Sequence, residues 1–217
     1  MKKLFDFDKK FRGFEVVAGV DEVGRGALAG PVVSAAVILK KNTSIKNLDD
    51  SKKLNPTVRY STYKEIIKKC QEFQVGIVNN RIIDRINILE ATKLSMKVAV
   101  EKLNIKPRLI LIDGNQPINT KITQKTIVKG DSKSASIAAA SIVAKVTRDR
   151  LMEKFDKQFP NYGFAKHKGY GTKFHLKSLK TFGFCNIHRK SFKPVASYDS
   201  PAPSKFCCVR YEIKKSI

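Results

Sequence analysis

Apolar and polar positions come in blocks along this chain, and the blocks predict an order of strands and helices. A first apolar run over 14–20 ends in two adjacent acids and a glycine-rich turn. A second run over 31–39 is short, rich in β-branched residues and bounded by Gly-Pro and a lysine pair, which is typical of a buried strand. Because only a short turn lies between them, the two runs predict a β-hairpin.

Strand and helix patterns then alternate along the chain. Residues 73–78 predict a third strand, and 82–103 carry apolar residues at the spacing of an amphipathic helix. Residues 109–112 are continuously apolar, as in a strand buried on both faces. The remaining predicted elements are a polar loop over 49–53 leading into a helix that ends at Lys69, a strand over 125–129 and a helix over 134–155.

This order predicts an α/β fold with a mixed sheet flanked by helices. The main α/β part covers 14–156, a helical and basic C-terminal part of the same domain covers 157–195, and a loose tail covers 196–217. Residues 157–198 contain no acid, nine Lys or Arg and all three histidines. They are therefore the predicted basic surface of the molecule.

The charge balance points to an acidic partner. Among 217 residues there are 43 Lys or Arg against 19 Asp or Glu, a net charge of +24, which favours nucleic acid or an anionic membrane surface. An alternative is that the lysine excess reflects an AT-rich source and carries no information on binding. The apolar runs are shorter than the roughly 18 residues of a membrane span, and no membrane partner is expected.

The termini and cysteines bear on the compartment. The first 14 residues have no continuous apolar stretch, so a secretory signal is not expected. The four cysteines show no C-x-x-C pair, which indicates reduced thiols. We expect a cytoplasmic monomer.

Four acids are the candidate functional residues, because each follows an apolar strand and precedes a turn residue: Asp21, Glu22, Asp113 and Asp131. Strand ends meet at one edge of a sheet, where α/β folds bind ligands. Clustered carboxylates repel one another, and two divalent cations relieve that repulsion. Such a hard, oxygen-rich site suits Mg²⁺ or Mn²⁺. A pair of these ions activates water and stabilises the leaving oxygen in phosphodiester hydrolysis.

Two observations oppose this hypothesis. Strand-end acids are often solvated turn residues or helix caps, and Asp131 precedes a predicted helix that it could cap. Asp21 and Glu22 are adjacent, and neighbours on a regular strand point to opposite faces. Both reach one site only if the strand bends or ends near Gly24.

Several motifs follow one another in order along the chain. They are VDEVGRG at 20–26, LAGPVV at 28–33, DSKKL at 50–54, IDGN at 112–115, KGDSKS at 129–134, AKVTRD at 144–149, HKGYGT at 167–172 and HRKSF at 188–192. Over residues 14–195 these motifs resemble those of bacterial ribonuclease HII. Two small departures stand beside the acids, namely Val23 and Ser132 where the family commonly has alanine.

The resemblance implies a fold and an activity. It implies an RNase H-like catalytic domain over 14–156 that hydrolyses the RNA strand of RNA–DNA hybrids. It also implies nicking 5′ of ribonucleotides embedded in duplex DNA, by two-metal-ion catalysis that leaves 5′-phosphate and 3′-hydroxyl ends. These are the activities of ribonucleotide excision repair. The metal ligands and catalytic groups implied are the same four acids.

The resemblance further implies residues that bind the substrate. Gly24, Arg25 and Gly26 would approach the minor groove and read the 2′-hydroxyl, the group that separates RNA from DNA. Tyr170 would sense the ribose at the RNA–DNA junction, and Lys52 would hold a backbone phosphate. Contact with a replication clamp is compatible with the family, although no residue in the sequence identifies it.

Rival hypotheses remain open. A DNA nuclease or strand-transfer enzyme of the same superfamily also uses clustered acids, and a non-catalytic nucleic-acid-binding protein also uses a basic surface. Ribonuclease HIII carries an extra N-terminal domain, and here only about 13 residues precede the first strand. The histidines lack zinc spacing and predict a protonatable basic face. Residues 148–150 predict exposed charge on a helix.

Overall fold

A computed structural model of the chain describes residues 2–48, 51 and 54–198. Two compact units are present. Of the described residues, the first comprises those within Met1–Arg25 and Pro31–Asp149, and the second those within Gly26–Gly30 and Arg150–Ile217.

The first unit contains a mixed five-stranded sheet, as predicted. Its order is β3-β2-β1-β4-β5. β1 pairs antiparallel with β2, and β2 with β3, whereas β4 pairs parallel with both β1 and β5. The predicted hairpin is therefore β1–β2. The strands are β1 Val17–Val23, β2 Val32–Leu39, β3 Cys70–Val78, β4 Leu109–Asp113 and β5 Thr123–Ile127.

Side chains cap the first turns of α2 and α3. Asn55 accepts a hydrogen bond from the Val58 N–H at the start of α2, and Asn79 accepts one from the Ile82 N–H at the start of α3. The N-terminal helix α1 was not predicted. The helices are α1 Lys2–Asp8, α2 Pro56–Lys69, α3 Asn80–Glu101, α4 Ala135–Gln158, α5 Phe164–His167, α6 Lys173–Phe182 and α7 Lys193–Ala196.

The two faces of the sheet pack against different helices. On one face, α4 lies so close that a Cβ on Gly19 would stand 2.1 Å from the Ser136 carbonyl carbon. The buried alanines of α4 join Ala35 and Val37 in the core on that face, and their small size allows the close approach. The other face packs on α3, where Ala36 and Ile38 join Met96, Ala99 and Val100.

The end of β5 differs from the prediction. The strand stops at Ile127 instead of continuing to Lys129, because the Ile127 carbonyl accepts the Gly114 N–H at 3.0 Å and the backbone turns left-handed at Lys129 (φ 56°). A 3₁₀ turn over Gly130–Ser132 follows. The early turn brings this segment back to the end of β4.

The second unit is mainly helical, with α5, α6 and α7 packed around a small core. Its loop over Gly26–Gly30 is bound by backbone hydrogen bonds, from the Leu28 N–H to the Gly169 carbonyl and from the Gly30 N–H to the Ile187 carbonyl, both 2.8 Å. No helix in the described part of the chain is long and apolar enough to cross a membrane. The core residues include Leu28, Ala29, Met152, Tyr162, Phe164, Leu179, Cys185, Ile187 and Val195.

Candidate active site

Two of the four candidate acids lie on neighbouring strands. Asp113 is the last residue of β4, whereas Asp21 lies within β1 and does not follow it as predicted, because pairing with β2 continues to Val23. The parallel pairing of β1 with β4 places Val20 opposite Ile112, so that Asp21 and Asp113 follow as the next residues on adjacent strands. Asp113 pairs in turn with Ile127 of β5. The sheet register therefore brings Asp21 and Asp113 to neighbouring positions on β1 and β4, and the predicted convergence of all four acids stays a prediction.

Asp21 is buried, with 5% of its surface exposed. The Glu22 N–H donates to its Oδ1 at 2.7 Å. Burial raises the pKa of Asp21 well above its usual range, and the negative charges of Glu22 and Asp113 raise it further. A hydrogen bond with Ser141 and the one from the Glu22 N–H oppose this shift. The site thus carries negative charge that its own hydrogen bonds do not compensate.

Glu22 belongs to the same electrostatic group although it is adjacent to Asp21. Its pKa is raised by burial and by Asp113, against the opposing effect of the Arg25 guanidinium. The Arg25 Nη1 lies 3.3 Å from Glu22 Oε1. The ladder between β1 and β4 ends at Val20, which allows both acids to sense the charge of Asp113.

The turn after β5 is bound directly to Asp113. The Gly130 N–H donates to Asp113 Oδ1 at 2.6 Å, and a Cβ on Gly130 would stand 3.2 Å from that oxygen. Asp131 follows at once and is buried. The first turn of α4 is capped by other groups: Asp8 Oδ2 accepts the Ser136 N–H at 2.8 Å, and Ser134 Oγ accepts the Ile137 N–H at 3.3 Å.

The acids do not form a ready set of metal ligands. Within the described ranges, no three Asp, Glu, His or Cys side chains are grouped so as to hold a metal ion. Each of three acids already accepts a hydrogen bond from a nearby group: Asp21 from the Glu22 N–H, Glu22 from the Arg25 guanidinium and Asp113 from the Gly130 N–H. The donor chemistry nevertheless fits a divalent cation, because the side chains are hard carboxylates and their burial leaves negative charge in excess. The metal site over the four acids therefore stays a prediction.

Gly24, which directly follows β1, lies against a buried arginine. Its φ of +94° is in the left-handed region, and a Cβ there would stand 2.1 Å from Arg148 Nε. The same Nε donates to the Pro31 carbonyl at 2.9 Å. Arg148 is fully buried, so the prediction of exposed charge over 148–150 is wrong for this residue. The hydrogen bond to the Pro31 carbonyl and the packing against Gly24 account for the burial of the Arg148 side chain.

A model of the ribonuclease HII family matches residues 18–195. The chain belongs to this family. Ribonuclease HII of Endomicrobium trichonymphae is 53% identical over 195 residues, which cover 88% of this chain and 93% of that protein. The predicted enzyme class, a ribonuclease of type HII, is confirmed.

Solved structures of ribonuclease HII relatives share the fold. Ribonuclease H2 from Pyrococcus horikoshii OT3 superposes with a TM-score of 0.69 at 29% identity, covering 84% of this chain and 96% of that one. The protein in the structure of the PCNA–RNase HII complex from Archaeoglobus fulgidus gives 0.70 at 28% identity, covering 88% and 100%. The predicted RNase H-like mixed sheet flanked by helices is confirmed.

The candidate substrate-binding residues of this ribonuclease HII differ in exposure, and one of them is not among the described residues. Lys52 is outside the described residues, as is the tail 196–217 beyond Tyr198. Arg25 and Gly26 are exposed, and a Cβ on Gly26 would meet nothing within 4 Å. Tyr170 is 36% exposed. Their roles stay predictions.

Ser51 and Ser141 are polar residues that the sequence analysis missed. Their hydroxyl oxygens are 2.9 Å apart and buried. Ser141 also hydrogen-bonds Asp21, so Ser51 reaches the carboxylate site through it. A serine between small residues on a helix gave no local signal of this contact.

The histidines are not the exposed, protonatable face that the sequence predicted. His175 and His188 are 0% and 1% exposed. Burial lowers the pKa of His175 to about 4 and that of His188 to about 3, and the neighbouring imidazoles add to both shifts. The prediction was wrong because aromatic side chains cover these rings: Phe164 stands 5.5 Å from the His175 ring and 5.6 Å from the His188 ring.

Proposed function

We propose that this ribonuclease HII hydrolyses the RNA strand of RNA–DNA hybrids. It also nicks 5′ of ribonucleotides embedded in duplex DNA, leaving 5′-phosphate and 3′-hydroxyl ends. The observation that carries the proposal is the buried Asp21 carboxylate, which lies next to Asp113 on the neighbouring strand; burial raises its pKa, and the charges of Glu22 and Asp113 raise it further. Such a concentration of negative charge destabilises the fold, and it is typical of a functional site.

The proposed cofactors are two divalent ions, Mg²⁺ or Mn²⁺, held by Asp21, Glu22, Asp113 and Asp131. When bound, such ions supply the Lewis acidity that activates water and stabilises the departing 3′-oxygen of a phosphodiester. The protein itself positions the carboxylate oxygens through backbone hydrogen bonds. The Gly130 N–H orients Asp113, and the Glu22 N–H orients Asp21.

Recognition of the ribose is assigned to the Gly24–Arg25–Gly26 turn and to Tyr170. The exposed backbone at Gly26 has open space where a Cβ would stand, which suits the close approach of a sugar hydroxyl. The excess of basic residues, at +24 overall, attracts the duplex and predicts binding that weakens steeply with salt. Lys52 is proposed to hold a backbone phosphate.

The cellular context is also part of the proposal. We place the protein in the cytoplasm as a monomer that acts in ribonucleotide excision repair. A replication clamp is proposed as a partner, because the similar protein from Archaeoglobus fulgidus was solved in a complex with PCNA.

The test is nicking of a labelled DNA duplex that contains one ribonucleotide, mapped at nucleotide resolution in Mg²⁺ and in Mn²⁺. Asp21→Asn should abolish cleavage while duplex binding changes little, because the substitution removes a ligand charge and keeps the shape. Glu101→Gln, at an exposed acid of α3, is the matched control and should cut normally. Turnover by Asp21→Asn in either metal would rule out the proposed site.

The same assay tests ribose recognition and the rival functions. Gly26→Ala introduces no internal clash, so it should fold normally and lose cleavage of the ribonucleotide substrate. Cleavage of an all-DNA duplex by the wild type would favour a DNA nuclease. Metal-independent binding without nicking would favour a non-catalytic binding protein.

A further inference from the structure

The side chain of Tyr170 is exposed, whereas its backbone and that of Gly169 are hydrogen-bonded by His175 and His167, and His188 bonds His175 in turn. We propose that His175 and His188 are positioning residues that fix Tyr170 through a one-directional chain of imidazole hydrogen bonds. This inference rests on the proposed role of Tyr170 in sensing the ribose. All the groups concerned lie in the second unit.

The contacts assign the proton on each ring. The Cys185 N–H donates to His188 Nδ1 at 2.9 Å, so this nitrogen is an acceptor and carries no proton. A neutral His188 therefore carries its proton on Nε2, which lies 2.9 Å from His175 Nε2. That second nitrogen must accept, which leaves the His175 proton on Nδ1.

The chain ends at the backbone of Tyr170. His175 Nδ1 lies 3.0 Å from the Tyr170 carbonyl oxygen, and its proton is donated there. Each link depends on the one before it: the Cys185 N–H fixes the tautomer of His188, and His188 fixes that of His175. Protonation of either ring would put two N–H groups face to face at 2.9 Å. Both rings are fully buried, which keeps them neutral.

His167 holds the residue before Tyr170 in the same manner. Its Nδ1 accepts the Gly169 N–H at 3.2 Å, and its Nε2 donates to the Tyr162 carbonyl at 2.7 Å. The rings of His167 and His175 are stacked with centroids 4.5 Å apart. The Gly169 carbonyl accepts the Leu28 N–H at 2.8 Å, and a Cβ on Gly169 would stand 2.5 Å from the Ala29 carbonyl oxygen.

The backbone of Gly169–Tyr170 is thus bound on both sides while the phenol ring reaches solvent. A recognition side chain gains precision when supporting groups lock the backbone that carries it. The Leu28 contact also ties this backbone to the loop that begins at Gly26, the other proposed ribose-reading element. The histidine pair therefore acts on substrate recognition through Tyr170.

A metal site is the obvious alternative for two histidines beside a cysteine. Cys185 Sγ lies 3.1 Å from His188 Nδ1, a distance at which thiol and imidazole hydrogen-bond. No group of three such ligands is found in the part of the chain that the structure describes. The nitrogens of both rings already face protein groups, which favours positioning.

A double-mutant cycle tests whether His175 acts through Tyr170. His175→Ala should lower kcat/KM for the single-ribonucleotide duplex about tenfold, a loss of the size that misplacement of a recognition group produces. In a Tyr170→Ala background the same substitution should cost less than about twofold, because the residue it positions is gone. Losses that multiply in the double variant would overturn the inference.

Two further variants separate positioning from general destabilisation. Leu179→Ala removes a buried side chain from the same helix and core and leaves every hydrogen-bonding group of the imidazole chain in place, and it should leave kcat/KM unchanged at 25 °C. In His175→Asn the side-chain amide nitrogen is bonded to Cγ, as Nδ1 is in histidine, so an N–H can still be donated to the Tyr170 carbonyl. This variant should therefore retain most of the wild-type activity. An equal loss in Leu179→Ala, or no rescue by His175→Asn, would contradict the inference.

A spectroscopic measurement needs no variant and no activity. Imidazole ¹⁵N resonances of the wild type at pH 7 should show His175 protonated on Nδ1 and both His167 and His188 protonated on Nε2. Another tautomer at His175 would refute the chain. If this pattern is found but the wild type does not nick the ribonucleotide duplex, the proposed function fails while the hydrogen-bond chain stands.

Discussion

The carboxylate edge of the first unit and the histidine pair of the second are both buried clusters of titratable side chains, and they treat charge in opposite ways. At the edge, Asp21 and Glu22 share their surroundings with Asp113, and burial, together with the negative charge of Asp113, raises the pKa of both. In the histidine pair, each ring nitrogen faces a donor or an acceptor, and the rings are neutral. A cluster whose negative charges are not compensated is suited to binding a cation. A cluster in which every polar group is hydrogen-bonded (a satisfied cluster) stabilises its surroundings instead.

The largest expected effect on stability lies in the satisfied cluster. His188→Ala should lower the free energy of unfolding by about 3 kcal/mol, because it opens a cavity and leaves the buried Cys185 N–H without its acceptor. Urea denaturation at pH 7 measures this loss. Lys177→Ala, at an exposed position of α6, is the control and should change little. A loss below about 1 kcal/mol would mean that the histidine pair is not a structural unit.

The contrast also shows what the sequence can predict. The strand-end acids were predictable because the signal is local: an apolar run, then an acid, then a turn. Parallel pairing of β1 with β4 then places Asp21 and Asp113 at neighbouring positions. Naming the four acids as candidates needed no knowledge of distant contacts, and their role as metal ligands stays a prediction. The mixed sheet and its β1–β2 hairpin followed from the same patterns, whereas the order of the strands did not.

The misses are residues whose environment is set by distant parts of the chain. Asp8 binds the Ser136 N–H from 128 residues away, and Arg148 binds the Pro31 carbonyl from 117 residues away. His175 lies in a basic stretch, where composition favours exposure, yet the fold covers it completely. Such burial depends on tertiary packing, and no periodicity in the sequence predicts it.

A second prediction concerns acid. The pKa of His175 is about 4 in the folded protein against an ordinary value of 6.5, so protons bind the unfolded chain first as pH falls below 6.5. The histidine therefore stabilises the fold fully only above pH 6.5, and stability is lost as pH falls toward 4. Asp8, Asp21 and Glu22, with raised pKa values, act in the opposite direction.

The contribution of one histidine is isolated by comparing two proteins at two pH values. Between pH 7 and 5.5, the wild type should lose about 1 kcal/mol more unfolding free energy than His175→Asn. The carboxyl groups are common to both proteins, and so are His167 and His188, which face the ring of His175, so their effects largely cancel. Equal losses in the two proteins would show that His175 is protonated in the fold.

The smallest effect is the most direct comparison of the two clusters, because its sign is opposite to that of His188→Ala. In a chelator at pH 8, Asp21→Asn should raise the free energy of unfolding by about 0.5–1 kcal/mol, since a neutral amide removes the repulsion with Glu22 and Asp113. An asparagine oxygen can still accept the Glu22 N–H. Glu101→Gln, which removes an exposed acid paired with Lys97, should give no such gain. If Asp21→Asn destabilised the protein instead, the carboxylate edge would be a satisfied cluster like the histidines, and its negative charge would no longer argue for a bound cation.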